Sequence, residues 1–505
     1  MSDRSPDDLL GYIWHAAATH PDRVIVKDVG RTWTWHALLT RAAAYAHSLE
    51  GSATPIVPLF CGRNGDTIAA ILGCLLSGRA FAPLAPDQPT ERLRSCLDKL
   101  GASVCISTLD TPLPEAAVSA GLLSLTPSAT PGTAIMPAVP SFDSAAVAYV
   151  LFTSGSTGAP KGVMVGYGNL ANTIAWSTDV LPWTSDDVTG IVVNFYFDIS
   201  MFDVFATLWH DVPIAIVSRP GALAETMDEI AQFGITSIFA APAFFSQFVR
   251  TQTMAAPALR SLRRLVSGGD FFPPAHVIAW MDARPDVAIF NVWGPTETSI
   301  VNTMHLVSEA DRAALEQGKH APVGCAHPRM PLVIVDEALR EVPVGTSGEV
   351  CMLGACVTQG YLQDPERTAQ AYVTINGQRA YRTQDLGVLD ETGELRILGR
   401  LGAMTKINGH RVDLGEVEGA VTVLPGVHQA AAFLRESEPG IQELWIAIEP
   451  TDPAVPPDIF TLKQTLRGRV PAYMVPKRIV FVPVMPLTPN GKVDRKAVSA
   501  AAGAA

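Results

Sequence analysis

Short apolar runs of strand length alternate with amphipathic helical patterns over the first 310 residues of the chain. In residues 1–145 this periodicity predicts four helices and three strands, with Thr34 as the cap of the second helix. Such alternation is typical of a mostly parallel sheet covered by helices on both faces. The predicted helices are 7–19, 34–49, 66–76 and 90–100, and the predicted strands are 24–26, 56–59 and 104–106.

The alternation resumes after a segment rich in Pro, Ala, Ser and Thr at 108–145, which we expect to be a surface connection. Several strands predicted beyond it end in polar or glycine-rich turns, among them 267–270 and 293–297. Ligands of open α/β sheets collect at the carboxyl ends of the strands, so these turns are candidate site segments. The predicted strands are 146–152, 188–193, 214–217, 235–239, 265–266 and 287–292.

Residues 310–400 contain more strand patterns and fewer helical ones, which predicts a small barrel or sheet packed alongside the first part. The strands expected there are 332–335, 348–353, 387–389 and 395–398. The segment after residue 402 predicts a small α+β unit of its own, with helices at 412–423 and 459–469, strands at 428–434 and 444–448, and a tail at 471–505. We therefore predict an α/β protein with a large core domain of doubly wound parallel sheets and a small barrel-like part at 1–399, a hinge at 400–402 and a small, mobile α+β lid at 403–505.

Composition narrows the function classes. A net charge of −12 argues against a nucleic-acid partner, because phosphate backbones require a basic face. The seven cysteines are scattered without a Cys-x-x-Cys pair, which favours buried thiols in a reducing cytoplasm over disulfides or a zinc site. No signal-peptide pattern and no apolar run of membrane-span length occur, so we expect a cytoplasmic protein without a membrane partner.

The stretch 151–165 places a loop of glycines and hydroxyl residues between two apolar runs. Glycines permit close backbone approach, Ser and Thr add donors, and Lys161 adds a cation, so the loop predicts a polyphosphate site. It is not the common P-loop, because Gly162 follows the lysine where that motif has Ser or Thr. The alternative is a flexible surface loop, but a linker is not expected between two strand-like runs.

Four motifs follow one another along nearly the whole chain. They are Thr-Ser-Gly-Ser-Thr-Gly-Ala-Pro-Lys-Gly at 153–162, Asn-Val-Trp-Gly-Pro-Thr-Glu at 291–297, Tyr-Arg-Thr-Gln-Asp at 381–385 and Asn-Gly-Lys at 490–492. In this order they resemble the core motifs of the adenylate-forming (ANL) enzymes, which include acyl-CoA synthetases, luciferases and the adenylation domains of nonribosomal peptide synthetases. The resemblance implies ATP and Mg²⁺ as cofactors.

One further motif separates the subclasses of that superfamily. Phe-Asp-Ile-Ser at 197–200 resembles the Phe-Asp-x-Ser motif of amino-acid-activating members, whose aspartate pairs with the substrate ammonium. A carboxylate beside apolar neighbours is costly to bury unless a cation meets it. The alternative is that Asp198 caps a helix that starts at Ile199. By the same resemblance, the substrate pocket would be formed by Asp198, Ile199, Phe202, Phe239, Val266, Gly268, Val292, Ile300 and Val301, closed by Lys492.

The implied pocket is apolar apart from its two charged ends, so a small or medium aliphatic amino acid such as alanine is favoured. An apolar pocket discriminates by only about 1–3 kcal/mol per methylene, so longer aliphatic residues, proline and β-amino acids stay open. Ordinary core packing is the alternative for most of these positions, and for Val266 and Val292 it could be the whole explanation.

The nucleotide side follows from the resemblance in the same way. Trp293 would stack on adenine, Asn291 would bond its edge, Asp385 would bind the ribose with support from Arg400, and Glu297 with Thr153 or Thr157 would hold Mg²⁺. As alternatives, Glu297 could be a helix-start acid and Trp293 a core aromatic residue. The full implied ATP-binding set is Thr153, Ser154, Gly155, Ser156, Thr157, Gly158, Lys161, Gly269, Asn291, Val292, Trp293, Gly294, Pro295, Thr296, Glu297, Asp385, Arg400 and Lys492.

Lys492 would be the catalytic residue, projected by a tight Asn490-Gly491 turn towards the substrate carboxylate and the α-phosphate. A lysine in a basic tail is otherwise usually a solvated surface residue. Two departures from the family pattern occur, since Gln384 replaces a common glycine and Gly402 replaces the usual hinge aspartate. The segment 406–411, with Lys406 and Gly409, resembles the loop that enters the site for thioester formation.

The resemblance therefore implies a free-standing ATP-dependent ligase that forms an aminoacyl-AMP and transfers the aminoacyl group to the phosphopantetheine thiol of a carrier protein in trans. D-Alanine–carrier ligases share this layout, and L-proline or β-amino acid adenylases remain alternatives. An acyl- or aryl-CoA ligase is a second possibility, against which the charge of Asp198 argues. A catalytically silent nucleotide-binding subunit is a third, against which Lys161, Glu297, Asp385 and Lys492 argue together.

Overall fold

The computed structural model describes residues 9–88, 90–127, 143–153, 160–401, 404–407, 410–438, 441–467, 470, 474–489 and 491–504. Over these residues the chain is an α/β protein with two mainly parallel sheets and a separate antiparallel sheet, so the predicted fold class is confirmed. The helices are α1 Leu9–Thr19, α2 Trp35–Ser48, α3 Gly65–Leu76, α4 Thr90–Leu100, α5 Glu115–Ser119, α6 Tyr167–Val180, α7 Asp198–Trp209, α8 Leu223–Phe233, α9 Pro242–Arg250, α10 Pro274–Ala283, α11 Arg312–Glu316, α12 Pro365–Ala371, α13 Leu414–Thr422, α14 Ile459–Arg467 and α15 Arg495–Ala504.

The strands belong to five sheets among the described residues. They are β1 Val24–Asp28, β2 Arg31–Thr34, β3 Ile56–Phe60, β4 Ala80–Leu84, β5 Val104–Ser107, β6 Leu123–Leu125, β7 Val147–Thr153, β8 Lys161–Gly166, β9 Thr189–Ile191, β10 Ile214–Ile216, β11 Ser237–Ala240, β12 Arg264–Ser267, β13 Ala288–Trp293, β14 Thr303–Leu306, β15 Gly324–Cys325, β16 Leu332–Val335, β17 Gly348–Leu353, β18 Tyr372–Ile375, β19 Gln378–Leu389, β20 Glu394–Arg400, β21 Met404–Ile407, β22 His410–Asp413, β23 Val427–Glu438, β24 Ile441–Pro450 and β25 Arg478–Phe481.

Two sheets of crossover topology form the larger part. One has the order β6-β5-β3-β4-β7-β8 and the other β14-β13-β12-β11-β9-β10-β1-β2, with antiparallel pairs only at β7–β8, β13–β14 and β1–β2. Central strands such as β4 are buried throughout, as expected for a sheet covered on both faces. The side chain of Thr34 accepts a hydrogen bond from the Ala37 amide (3.2 Å), so the predicted cap of α2 is present.

The third sheet is antiparallel, with the order β15-β20-β19-β17-β16 and β18 paired to β19. Its strand β19 has 12 residues, whereas the sequence predicted a strand only at 387–389. The underprediction has a physical cause, because β19 carries polar residues such as Arg382 and Asp385 and gains its hydrogen bonds from neighbours on both sides. This strand is the one that carries the predicted ribose-binding segment.

Gln384 of β19 adopts a left-handed backbone conformation, with φ of 59°. In the enzymes whose motifs this chain resembles, this position is commonly glycine, so the departure in sequence keeps the backbone geometry that glycine would favour. The conformation is held by two hydrogen bonds, from the Gln384 amide to Glu349 Oε1 (3.0 Å) and from the Leu401 amide to the Gln384 carbonyl (2.6 Å). A glutamine here is strained.

The Gln384→Gly variant is therefore expected to be more stable than the parent by about 0.5–1 kcal/mol, since relief of left-handed strain exceeds the added entropy of the unfolded chain. The measurement is the urea midpoint of unfolding at unchanged slope. Gln378→Gly in the same strand is the control, because Gln378 has no positive φ and the change there should lower stability. A lower midpoint for Gln384→Gly would contradict the strain argument.

The carboxyl-terminal part has a three-stranded sheet, β23-β24-β25, the hairpin β21–β22 and the helices α13 to α15. The segment 471–505, expected to be a tail, instead contains β25, which pairs in parallel with β24, and the helix α15. The predicted domain boundary at 400–402 stays a prediction, and residues 402 and 403 lie outside the described residues.

Contacts join this part to the first. The rings of His276 and His428 stack with centroids 5.1 Å apart, and Arg250 approaches Glu449 to 3.8 Å. Burial lowers the pKa of His276 to about 4 and that of His428 to about 3, so both rings are neutral at pH 7. An aromatic contact and an ion pair are thus among the contacts between the two parts, together with a hydrogen bond from Arg250 to Gln429 Oε1 (3.4 Å).

Candidate active site

Asp198 is the first residue of α7, and Phe197 is the cap of that helix. Its Oδ1 accepts a hydrogen bond from the Ile199 amide (2.9 Å), and its Oδ2 accepts one from the hydroxyl of Thr296. The helix thus begins one residue earlier than the capping alternative assumed, and the side chain also reaches the 291–297 motif. Burial raises the pKa of Asp198, while the two hydrogen bonds and the charge of Lys492 act in the opposite direction.

Lys492 lies on a tight turn that faces the same region. The Thr488 amide donates to the Lys492 carbonyl (2.6 Å), and the Gly491 amide donates to the Thr488 carbonyl (2.9 Å). Gly491 has φ of +74°, as a turn of this kind needs, and its Cα faces the methyl groups of Ala241 and Ala243. The turn therefore rests on the segment after β11, and Lys492 comes near enough to Asp198 to influence its titration. Asn490 lies outside the described residues.

The apolar residues of the implied pocket belong to one hydrophobic cluster. Phe202 meets Phe239 edge to face, with ring centroids 5.6 Å apart, and Phe239 lies beside Val266 on the neighbouring strand. A methyl group at Gly268 would come within 2.6 Å of a Val292 methyl and 3.3 Å of the Phe239 ring. Val266 and Val292 are almost wholly buried, which is compatible with both the pocket role and core packing. The two phenyl rings limit how deep a substrate side chain could reach.

The backbone after Glu297 is unusual. Ser299 and Ile300 both have positive φ (64° and 80°), and Ile300 is β-branched, for which this region is costly. A Cβ on Gly294 would lie 2.6 Å from Val301 Cα, so glycine is required where the two segments cross. The crossing is closed by a hydrogen bond from the Asn302 amide to the Trp293 carbonyl (2.9 Å). The predicted adenine side and the predicted substrate side therefore share one tightly folded segment.

Trp293, the last residue of β13, and Asp385, within β19, are brought together. The indole Nε1 of Trp293 donates to Asp385 Oδ2 at 2.9 Å, so this ring packs against the core and also contacts the predicted ribose-binding residue. The amide nitrogen of Asn291 donates to the carbonyls of Ala321 (3.2 Å) and Pro322 (2.8 Å). Its side-chain oxygen is the group that remains for a base edge.

Glu297 lies at the centre of a buried polar group. Its Oε1 accepts a hydrogen bond from the Tyr361 hydroxyl (2.9 Å) and lies 3.6 Å from Lys161 Nζ. Its backbone carbonyl accepts from the amide and hydroxyl of Thr358 (3.0 and 2.8 Å). The structure shows Glu297 in a short 3₁₀ turn, Thr296–Thr298, but its carboxylate is committed to Lys161 and Tyr361 rather than to the turn. Sequence reasoning missed Tyr361, which lies outside the four motifs and whose contacts with Glu297 and Lys161 are visible only in the fold.

The described residues fit Mg²⁺·ATP. Thr153 Oγ1 is buried and hydrogen-bonds no described residue, so it is available as an oxygen ligand or phosphate donor. Within the part of the chain that the structure describes, nothing hydrogen-bonds the second oxygen of Glu297, Oε2. Thr153 pairs with Lys161 across the β7–β8 ladder, so the two ends of the predicted phosphate loop are adjacent. The predicted loop residues Ser154, Gly155, Ser156, Thr157 and Gly158, and Gly409, lie outside the described residues, as do the side chains of Arg400 and Lys406.

Two family models match the chain. The model of the AMP-binding enzyme covers residues 13–362, and that of the AMP-binding enzyme C-terminal domain covers residues 416–492. Among the described residues, no helix combines the length and apolar character that a membrane crossing requires.

Similar proteins extend these matches. A D-alanine–D-alanyl carrier protein ligase of Lactiplantibacillus plantarum is 29% identical over 95% of this chain and 96% of its own length. The delta-poly-L-ornithine synthetase of Acinetobacter baumannii is 31% identical over 96% of this chain. The chain spans only 13–36% of the length of that synthetase and three other curated relatives. A solved four-domain nonribosomal peptide synthetase, AB3403, bound to AMP and glycine, is 25% identical with a TM-score of 0.81, over 97% of this chain and 36% of its own.

Proposed function

The chain belongs to the family of AMP-binding, adenylate-forming enzymes, and we propose that it activates an amino acid with ATP for transfer to a carrier protein. Enzymes of this family are AMP-forming ligases that use ATP and generally require Mg²⁺. In the proposed first step, a substrate carboxylate oxygen bonds to the α-phosphorus of ATP and pyrophosphate leaves. In the second, a phosphopantetheine thiol forms a thioester with the aminoacyl group and AMP leaves with the bond electrons.

The observation that carries the proposal is a carboxylate, Asp198, at the start of α7, where its neighbours Ile199 and Phe202 pack in an apolar cluster and the charge of Lys492 acts on it. A carboxylate whose pKa is raised by burial is stabilised by a cationic partner, and a substrate ammonium would supply one. Lys492 supplies the opposite charge for the substrate carboxylate and the α-phosphate. A neutral acyl chain would bring no cation to Asp198, so an acyl- or aryl-CoA ligase is the less favoured function.

The contacts of the remaining residues support a proposed role for each. Lys161 and the ends of the phosphate loop would bind the polyphosphate, Asp385 would bind the ribose in an orientation held by Trp293, and Thr153 and Glu297 would hold Mg²⁺. Bound there, Mg²⁺ would neutralise charge on the phosphates. No side-chain nucleophile is needed, because positioning and charge stabilisation are sufficient for this transfer.

The match over almost the full length of a D-alanine–D-alanyl carrier protein ligase supports a carrier that acts in trans. It also supports a small substrate such as alanine. The seven free cysteines, six of them buried, support a reducing compartment such as the cytoplasm as the site of action. The proposed rotation of residues 403–505 would bring the hairpin β21–β22 towards the site for the thioester step.

The function is tested by amino-acid-dependent ATP–pyrophosphate exchange with common L-, D- and β-amino acids. We expect exchange with at least one small amino acid and none with its des-amino analogue. Turnover with simple fatty acids or coenzyme A in place of any amine-bearing acid would overturn the proposal in favour of a CoA ligase. No exchange, together with full function of the Lys492→Ala variant, would indicate a silent nucleotide-binding subunit.

Pocket depth gives a second test. Phe239→Ala removes one ring of the edge-to-face pair and should raise the leucine-to-alanine ratio of kcat/KM by about 10-fold, within the 10–200-fold that an apolar pocket can contribute. Phe460→Ala, at an exposed position of α14, is the control and should leave the ratio unchanged. An unchanged ratio in Phe239→Ala would place that ring outside the substrate pocket.

A further inference from the structure

Tyr361 contacts both charged groups of the predicted phosphate and metal site. Its hydroxyl donates to Glu297 Oε1 (2.9 Å) and lies 3.4 Å from Lys161 Nζ. The same ammonium nitrogen lies 4.8 Å from the centroid of the Tyr361 ring, within the range of a cation–π contact. The Tyr361 side chain thus contacts the Glu297 carboxylate through its hydroxyl and the Lys161 ammonium through both its hydroxyl and its ring.

The surroundings hold this side chain in place. Tyr361 is almost wholly buried and meets Tyr372 edge to face, with centroids 5.6 Å apart, while its hydroxyl lies 3.5 Å from that of Tyr381. The Tyr361 hydroxyl bonds an oxygen of the Glu297 carboxylate, so the phenol is the donor in this contact. The side chain has little freedom to turn away from Glu297.

We propose that Tyr361 is a positioning residue for Mg²⁺·ATP. The Tyr361 side chain fixes the orientation of the Glu297 carboxylate and contacts the Lys161 ammonium as long as no polyphosphate is bound. With Oε1 held by the phenol, Oε2 is the oxygen left to meet a metal ion. When a polyphosphate arrives, Lys161 can leave its 3.6 Å contact with Glu297, because the phenol still compensates part of the carboxylate charge. The proposal rests on the proposed adenylating function only for the identity of the nucleotide.

The alternative is that Tyr361 merely fills the core. Tyr372 provides the comparison, because it is a buried tyrosine of the same cluster whose hydroxyl bonds Thr358 Oγ1 (2.8 Å) and not the Glu297 carboxylate. Tyr361→Phe and Tyr372→Phe each delete one buried hydroxyl and keep the ring. Tyr361→Leu deletes both the hydroxyl and the ring that faces Lys161.

The experiment measures ATP binding to the full chain by calorimetry, in excess EDTA and in excess Mg²⁺. In Tyr361→Phe we expect the affinity for ATP in EDTA to be unchanged. The ratio of the affinity in Mg²⁺ to that in EDTA should fall by about 10–100-fold, the usual cost of deleting a residue that hydrogen-bonds a metal ligand. In Tyr361→Leu we expect a further loss of roughly threefold in EDTA, because the lysine loses its cation–π partner. Tyr372→Phe should match the parent in both conditions.

Parent-like Mg²⁺ tightening in Tyr361→Phe would overturn the proposal, as would an equal loss in Tyr361→Phe and Tyr372→Phe, which is the result expected for core filling alone. Thermal melting of each ligand-free variant separates a folding defect from a binding defect. Because ATP binding is measured without an amino acid, failure of the chain to activate any amino acid would leave this test intact. Conversely, if the parent shows normal ATP–pyrophosphate exchange and Tyr361→Phe binds ATP in Mg²⁺ as tightly as the parent, the role proposed for Tyr361 is wrong and the proposed function is unaffected.

Discussion

The Lys492→Ala variant is expected to lose about 10²–10³-fold in kcat for amino-acid-dependent ATP–pyrophosphate exchange, the range found when one group that stabilises transition-state charge is removed. The physical reason is that the turn at 488–492 places Lys492 near Asp198, where the proposed function would bring the substrate carboxylate to the α-phosphate. KM for ATP should change little, since Lys161 and Asp385 would hold the polyphosphate and the ribose.

Lys496→Ala is the matched control, because Lys496 is an exposed lysine on α15 only four residues further along. It should exchange at the parent rate. A second measurement supplies chemically prepared aminoacyl-AMP and follows thioester formation, which should proceed in Lys492→Ala because its proposed role belongs to the first step. Parent-like exchange in Lys492→Ala would show that Lys492 takes no part in adenylate formation.

The Asp198→Asn variant should lose roughly 30–5,000-fold in kcat/KM for the amino acid, which corresponds to the about 2–5 kcal/mol that truncating one partner of a desolvated charge pair costs. Asparagine keeps the shape of the side chain: its oxygen can accept from the Ile199 amide, and its NH₂ group can donate to the Thr296 hydroxyl, which can rotate to accept. The loss is therefore assigned to charge. It is measured as kcat/KM for the amino acid in the exchange assay, with KM for ATP as the internal reference.

Asp203→Asn is the control on the same helix. The Asp203 carboxyl is buried, its Oδ2 hydrogen-bonds no described residue, and burial raises its pKa well above the ordinary value, so Asp203→Asn should leave kcat/KM for the amino acid near that of the parent. Parent-like substrate selection in Asp198→Asn would refute the ammonium contact and leave only an adenylating ligase of unspecified substrate.

The charge of Asp198 also sets the direction in which kcat/KM for the amino acid changes with pH. Protonation of Asp198 removes its attraction for an ammonium, so kcat/KM for the amino acid should fall as the pH is lowered. Because burial raises the pKa of Asp198, the midpoint should lie above about 4, the ordinary aspartate value. The acid limb should be missing in Asp198→Asn.

Much of the parallel-sheet part could be predicted from the sequence, because its strands are continuous apolar runs and its helices carry clear periodicity. The helix predicted at 90–100 has the observed bounds, and the strand predicted at 332–335 coincides with β16. Strands whose residues are half polar, such as β19, were underpredicted because partners on both sides, rather than burial, make them strands. The segment β25 to α15 was missed because its partner β24 lies about 30 residues earlier in the sequence.

The candidate active site, too, could be predicted only in part from the sequence. The motifs predicted which stretches would gather, and the structure brings Asp198 beside Thr296 and Trp293 beside Asp385. The motifs could not predict those pairwise hydrogen bonds, because each joins residues about 90–100 positions apart. Tyr361 was outside every motif considered, and its importance comes from contacts with Lys161 and Glu297 that only the fold creates.

The left-handed backbone at Ile300 has a practical consequence for directed evolution of substrate choice. A combinatorial library randomised at this position mixes two effects, a new side chain and a new torsional preference, so many members would fail through misfolding of the Gly294 crossing rather than through poor recognition. Glycine and asparagine tolerate the torsion and are the informative replacements there. Diversity in size is better introduced at Phe202 and Ile199, whose helical backbone accepts most side chains.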